Sequence, residues 1–183
     1  MTAKEKIRKE ILILRRSLKD KEKLDKKIQN ALLNTEFYKN SKTVMCYNSF
    51  NNEVDTVKLI DKIIADKKTL CAPKCVEYGM MEAVKFNSKS ELLRGAYDIF
   101  EPTGNDIINP LDIDLIIVPG VAFNEELHRI GYGAGYYDNF LAKSNALFCG
   151  LFYEMQKADF KASSTDIKLD YIITEKKIYS SEE

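Results

Sequence analysis

Apolar positions Ile7, Ile11, Leu14 and Leu18 recur at helical spacing in "KEKIRKEILILRRSL" (residues 4–18) and predict one apolar stripe on an N-terminal helix. "KEKLDKKIQNALLN" (21–34) predicts a second helix. The period then changes. "TVMCYNSF" (43–50), "TLCAPKCV" (69–76), "MEAVKF" (81–86), "DLIIVPG" (114–120), "LFCGLF" (147–152) and "DYIIT" (170–174) are short apolar or β-rich runs bounded by turn residues, and they predict strands. "TVKLIDKIIADKK" (56–68) and "YYDNFLAKS" (136–144) predict amphipathic helices between them, and "KKIYSSEE" a last strand with a solvated end. Strands alternating with helices predict an α/β protein: a single-domain three-layer sandwich over residues 1–183, with a mostly parallel central sheet and helices on both faces. "LIIV" is its central-strand candidate, because a strand buried on both sides reads as an unbroken apolar run. Open parallel sheets bind ligands beyond the carboxyl ends of their strands. That edge would hold "NSFNNEVDT", "PGVAFN" with the glycine-rich stretch after it, and the segment before "DYIIT".

Charge changes this picture only locally. The 183 residues carry 28 Lys and Arg against 28 Asp and Glu, so the global basic excess of a nucleic-acid binder is missing. Residues 1–27, however, hold eleven basic against five acidic side chains. At about 100° per residue, Lys4, Arg8 and Arg15 fall within roughly 40° of one another beside the apolar stripe. Such an edge is either a solvated helix flank or a row of cations aimed at a ligand. No run reaches the roughly 18–20 apolar residues of a membrane span. The charged start "MTAKEKIRKE" does not fit a signal peptide. A cytoplasmic protein with reduced Cys46, Cys71, Cys75 and Cys149 is expected. "CAPKC" has no second Cys/His pair to complete a zinc site, and with His128 the only histidine no histidine-based cluster can form.

The densest chemical signal is "RIGYGAGYYD" (129–138), with glycines at 131, 133 and 135. Alternate glycines allow positive φ and close approach of a ligand to the backbone, and converging amides make an anion nest. A Rossmann fingerprint would need glycine where Tyr136 stands, and a Walker loop would end in Gly-Lys-Ser/Thr, which is absent.

The longer segment "DLIIVPGVAFNEELHRIGYGAGYYDNFL" (114–141) resembles the hallmark of the 5-formyltetrahydrofolate cyclo-ligase family. "KEKIRKEI", "SFNNEVDT", "APK", "IFEP" and "DIKLDYIITE" resemble the family's other blocks in the same order. The chain departs from its usual pattern in four places. Asn124 stands where a carboxylate is common, and "EELH" replaces a spacer that usually carries glycine. Asp98 takes the usual glycine before "IFEP", and Thr165 the place of a frequent histidine.

The resemblance implies an ATP- and Mg²⁺-dependent ring closure of 5-formyltetrahydrofolate to 5,10-methenyltetrahydrofolate. It implies ATP contacts from Lys4, Arg8, Arg129 and the run Ile130, Gly131, Tyr132, Gly133, Ala134, Gly135, Tyr136 and Tyr137. Folate contacts would come from Asn48, Phe50 and Glu53, with Tyr132, Gly133, Ala134, Gly135 and Tyr136. Arg129 and Tyr136 are expected at the reacting groups. Asp138 and Asp166 are expected to hold Mg²⁺, with Asp170 the competing carboxylate. The expected partners are the two substrates alone, with no nucleic acid or membrane, and the expected state is a monomer, a weak dimer being the alternative. Asp55 and Thr56 read as caps of the helix that follows them. Two other classes stay open: a non-catalytic nucleotide- or folate-binding regulatory module, and a sugar-phosphate isomerase-like enzyme on a related fold, which would turn over without ATP.

Overall fold

A computed structural model describes residues 1–181, so the final Glu182 and Glu183 of the expected solvated end lie outside the described residues. The chain opens with α1 (Ala3–Arg16), α2 (Lys21–Asn34) and a short α3 (Glu36–Asn40). Strand β1 (Thr43–Cys46) leads through α4 (Val57–Ala65) to β2 (Thr69–Glu77), which turns back into β3 (Met80–Lys85). The small strands β4 (Leu92–Arg94), β5 (Phe100–Pro102) and β6 (Ile107–Ile108) precede β7 (Leu115–Val118). The hairpin of β8 (Ala122–Phe123) and β9 (Arg129–Ile130) then feeds α5 (Tyr136–Leu141), β10 (Leu147–Leu151), β11 (Tyr171–Ile173) and β12 (Ile178–Ser180).

Eight strands form one sheet in the order β12-β11-β10-β7-β1-β2-β3-β6. The pairs from β11 through β2 are parallel, and β12, β3 and β6 add antiparallel edges. Side chains alternate across the sheet. Val44, Cys46, Leu115 and Ile117 meet Ile28 and Leu32 of α2 and Leu59, Ile60 and Ile63 of α4. Met45, Ile116 and Val118 meet Phe140 and Leu141 of α5 with Phe123 and Phe152 on the other side. Covered on both faces, β7 is wholly buried, as its unbroken apolar run predicts.

The amino edge of the sheet is pinned by carboxylates. Asp114 accepts the amides of Lys42 and Thr43 at 2.7 and 2.8 Å, and Asp170 accepts that of Phe148 at 2.7 Å. Asp170 therefore sits beside the start of β10, at the end of the strands opposite the ligand edge. The alternative of Asp170 as a metal ligand is corrected: it is a strand-start anchor.

From β1 the chain winds outward to β2 on one side, and from β7 to β10 and β11 on the other. The loops leaving β1 and β7 diverge there, at the switch point where open α/β sheets place their ligand crevice.

α1 does not cover the sheet. Its Ile11, with Ile7 and Leu12, packs on Val121, Ala122, Ile130 and Phe160 beside the β8–β9 hairpin. The buried stripe is rotated from the expected one: Leu14 is 52% exposed, and Arg15 is 1% exposed. Hydropathy alone placed Leu14 inward, but carbonyl partners for a guanidinium turn Arg15 in instead.

Close packing under the crevice makes one position sensitive. A Cβ on Gly150 would lie 2.5 Å from Phe152 Cε2 and 2.8 Å from Leu169 Cδ1. Gly150→Ala is expected to cost about 1–3 kcal/mol through overpacking, and a thermal melt should show a midpoint lowered by several degrees. Gly104→Ala, whose Cβ would meet only atoms at 3.8 and 4.0 Å, should melt near the wild type.

Candidate active site

The loop leaving β1 is knotted by its own hydrogen bonds. Thr56 Oγ1 donates to the Tyr47 carbonyl at 2.7 Å and accepts the Ser49 amide at 3.0 Å, while Tyr47 Oη donates to the Val54 carbonyl at 3.0 Å. Thr56 occupies the N-cap position of α4 without capping it by its side chain. The cap expected of Thr56 is thus corrected, because its hydroxyl is spent on the loop. Asp55 Oδ1 does accept the Val57 amide, at 3.4 Å. From behind, α2 braces the turn. Gln29 Nε2 donates to the Asp55 carbonyl at 2.6 Å, and Asp25 accepts the Asp55 amide at 3.2 Å and the Tyr153 hydroxyl.

This knot turns Glu53 inward, 4% exposed. Its Oε2 accepts the Phe50 amide at 3.0 Å and its Oε1 the Tyr132 hydroxyl at 2.9 Å. Burial pushes the carboxyl up to about 7, against the downward pull of the Phe50 amide, Arg15, Tyr132 and Lys21. An ionised carboxylate offers about four acceptor positions, so two remain for a ligand.

The glycine loop faces this turn. Gly133 and Gly135 have φ of 109° and 74°, which side-chain-bearing residues rarely adopt. A Cβ on Gly131 would meet nothing within 4 Å. Neither strain nor packing inside the chain explains glycine at 131, whereas close approach of a ligand would. Arg8 Nε donates to the Gly131 carbonyl at 2.8 Å, and the guanidinium lies 3.7 Å from where a Gly133 Cβ would stand. On the far side, Asn139 Nδ2 donates to the Gly79 carbonyl at 2.9 Å, tying the loop to the β2–β3 hairpin tip. Helix α5 begins at Tyr136, the first residue of the predicted helix. Ile130 packs its side chain into the α1 cluster, leaving only backbone to a ligand. Tyr137 packs against both main apolar clusters, and its hydroxyl is buried without a partner.

Asp138 and the segment of Asp166 do meet. The Ile167 amide donates to Asp138 Oδ1 at 3.0 Å. Each carboxylate already has a cation: Asp138 pairs with Arg129 at 3.2 Å, and Asp166 with Lys4, which also donates to Ser163 Oγ at 2.9 Å. These contacts use one oxygen of each carboxylate, Oδ1 of Asp138 and Oδ2 of Asp166. Among the described residues no group of three or more metal-ligating side chains occurs, but Mg²⁺ beside a polyphosphate needs only one or two carboxylates. The pair fits that requirement. Arg129 is 5% exposed and donates to the Ile167 carbonyl at 3.3 Å. Its Nη1 is engaged with Asp138 and Ile167, so the expected ATP contact would have to come from the rest of the guanidinium.

Aromatic residues wall the crevice. Phe50 and Tyr132 lie 4.9 Å apart between ring centroids, and Tyr136 stands 6.1 Å from Tyr97 and 6.4 Å from Tyr78. Asn48 Nδ2 donates to the Phe100 carbonyl at 2.8 Å, and Phe100 also lines, with Phe50, Asn51, Arg94 and Tyr97, a cleft of about 390 Å³ beside the loop leaving β1. Tyr78 and Tyr97 were missed in the sequence. They come from a hairpin tip and a short irregular turn, where no periodicity marks them.

The departures from the family pattern have local explanations. Asn124 both accepts the His128 amide at 2.9 Å and donates to the Phe160 carbonyl at 3.1 Å, which a carboxylate cannot do. Asp98, in place of glycine, has φ 61°, and Leu127 in the "EELH" spacer has φ 66°. Both keep the left-handed backbone that glycine adopts at no steric cost. Nothing in the structure explains Thr165.

No helix among the described residues is long and apolar enough to cross a membrane. The 5-formyltetrahydrofolate cyclo-ligase family model matches residues 1–175. The 5-formyltetrahydrofolate cyclo-ligase of Mycoplasma genitalium is 35% identical over 179 residues, covering 94% of this chain and 98% of the relative. The solved 5,10-methenyltetrahydrofolate synthetase of Aquifex aeolicus superposes with a TM-score of 0.89 at 34% identity, covering 100% and 94% of the two chains. That of Mycoplasma pneumoniae gives 0.78 at 27% identity, covering 95% and 99%. With a match this long joined to the crevice just described, the chain belongs to the 5-formyltetrahydrofolate cyclo-ligase family.

Proposed function

We propose that this protein converts 5-formyltetrahydrofolate and ATP to 5,10-methenyltetrahydrofolate, ADP and phosphate in the crevice between the loops leaving β1 and β7. The observation that carries this reading is Tyr132. It sits inside the glycine loop suited to phosphate and bonds directly to Glu53, the buried carboxylate of the opposite loop. One residue thus joins a nucleotide half to a folate half. In the reaction the γ-phosphate passes to the formyl oxygen and ADP leaves. Nitrogen 10 then attacks the formyl carbon and loses its proton, and the C–O bond to phosphate breaks. Positioning and charge stabilisation are the protein's main contributions to such a transfer.

In this reading Lys4, Arg8 and the amides of residues 131 to 135 hold the triphosphate, and Arg129 orients Asp138 from below. Asp138 and Asp166 would hold Mg²⁺ through their remaining oxygens. A bound Mg²⁺ neutralises charge on the phosphate oxygens. Glu53 accepts hydrogen bonds from the pterin, and Asn48, Phe50 and Tyr136 flank it. Residues 1–183 act as one catalytic domain. A monomer is part of this reading. The four free cysteines suit a reducing, cytoplasmic setting.

The decisive measurement is the absorbance of the methenyl product with and without ATP. Formation only with ATP supports the reading. Binding without turnover would make the protein a regulatory module, and turnover of a sugar phosphate without ATP would make it an isomerase. Arg8 gives a finer test. Arg8→Ala is expected to raise the ATP KM by about 10- to 100-fold, the size of one lost charge-assisted contact. Arg8→Lys should recover only part, since an ammonium lacks the planar fork. An unchanged ATP KM in Arg8→Ala would assign this residue to loop docking alone.

A further inference from the structure

We propose that Arg15 is a positioning residue of this reaction, holding Glu53 in place through the Tyr132 hydroxyl. On this view, the helix that presents Lys4 and Arg8 to the nucleotide also sets the folate half of the site. The proposal rests on the function assigned above and adds a residue to it.

Arg15 lies seven residues after Arg8, two helical turns along the same face. At 1% exposed it is among the largest fully buried side chains of the protein. Its Nη1 donates to the Gly120 carbonyl at 3.2 Å, and its Nη2 to the Asn51 carbonyl at 2.7 Å and the Tyr132 hydroxyl at 2.7 Å. Gly120 follows β7 and Asn51 lies in the loop after β1, so one guanidinium ties together the two loops that form the crevice. Among the described residues it forms no direct ion pair, and its Nε is buried without a hydrogen bond. A scaffold has little use for such a residue, because an apolar side chain of similar volume fills a core at lower desolvation cost.

The direction of the hydrogen bonds assigns the role. Arg15 can only donate, so the Tyr132 oxygen accepts from it, and the Tyr132 proton is directed to Glu53 Oε1 at 2.9 Å. Each bond polarises the next. Glu53 also receives the Phe50 amide and feels Lys21 from α2, and burial followed by the Glu53 charge raises the Tyr47 and Tyr137 hydroxyls well above the ordinary tyrosine value. The Tyr153 hydroxyl bonds its main-chain carbonyl at 3.2 Å. Arg15 and Lys21 favour the carboxylate and burial opposes it. Removing Arg15 or the Tyr132 hydroxyl should therefore make Glu53 harder to ionise.

The test is the pH profile of kcat/KM for 5-formyltetrahydrofolate at saturating ATP, in the full chain, for Arg15→Gln, Arg15→Lys and Tyr132→Phe. Arg15→Gln and Tyr132→Phe are expected to lower kcat/KM by about 10- to 100-fold and to move the acid limb to higher pH. Arg15→Lys should keep the limb near its wild-type midpoint, with a reduced plateau. A purely structural role would lower the plateau with the folded fraction and leave the midpoint fixed in all three. If Arg15→Gln does not fold, Tyr132→Phe decides alone. A wild-type midpoint in the folded variants, or a flat wild-type profile, overturns the proposal. If the wild type turns over and Glu53→Gln loses folate binding while the midpoints stay fixed, the relay fails and the reaction stands. If the wild type makes no product with ATP, both fall.

Discussion

Glu53→Gln is expected to lower kcat/KM for 5-formyltetrahydrofolate by about 100- to 10,000-fold, equivalent to two hydrogen bonds to a charged group at about 1.5–3 kcal/mol each. Calorimetric titration of folate should show the loss, and ATP affinity should hold. The donor pattern explains the size. Glu53 accepts from both Phe50 and Tyr132. A glutamine can give its oxygen to only one of them, and its amide must then face a hydroxyl already accepting from Arg15. The wild-type pH dependence follows from burial, which raises this carboxyl from its ordinary 4.5 to about 7. Between those values the folded protein binds a proton that the unfolded chain has lost. The residue's contribution to stability is therefore full below pH 4.5 and is lost as pH rises through about 7. Glutamine does not titrate, so the stability of the wild type relative to Glu53→Gln should fall across this window in denaturant titrations. Folate kcat/KM should rise through the same pH range as the carboxylate forms. Normal folate binding in the variant would remove Glu53 from the site.

Asp138→Asn should depress turnover by about 100-fold or more at low Mg²⁺, since a catalytic metal contributes several kcal/mol, with partial recovery at high Mg²⁺. Asp166→Asn should behave similarly, and the double variant should lose less than the product of the two single losses, because both remove one ion. The structure adds a complication that the thermal melt resolves. Asp138 also neutralises the nearly buried Arg129, and breaking such a pair costs about 3–5 kcal/mol when the other charge stays behind. Asparagine keeps an acceptor for the Ile167 amide, so the loss should lie at the lower end. A lowered melting temperature with no change in the Mg²⁺ dependence of turnover would confine Asp138 to holding Arg129. Wild-type turnover at low Mg²⁺ in Asp166→Asn would confine Asp166 to its Lys4 pair and the Ser163 amide.

Most of the sheet could be read from periodicity, because buried runs such as "LIIV" and the 3.6-residue stripes of α2 and α4 carry their own signal. The short strands of the β4–β5 and β8–β9 pairs could not, since two or three residues are too few to show a period. In the glycine loop, two of the three glycines have the positive φ that the pattern implied. What the pattern could not supply was direction. Arg15 looked like one more cation on an edge either solvated or aimed at a ligand, because a one-dimensional reading cannot see the carbonyls of Gly120 and Asn51 that receive it. The Asp138 and Ile167 partners of Arg129 were invisible for the same reason. Tyr78 and Tyr97 approach Tyr136 only after distant segments fold together.

None of the described residues of α1 belongs to either large apolar cluster; the helix rests on a small satellite group around Ile11. Opening of α1 would leave the two large clusters packed and cost the Ile11 contacts and the Arg8 and Arg15 hydrogen bonds, which places it below global unfolding in free energy. Its amides should exchange with solvent well before those of β7. Yet this helix carries Lys4, Arg8 and Arg15, so a ligand gripping those side chains would slow exchange there most, and the stability of one peripheral segment becomes a direct reporter of site occupancy.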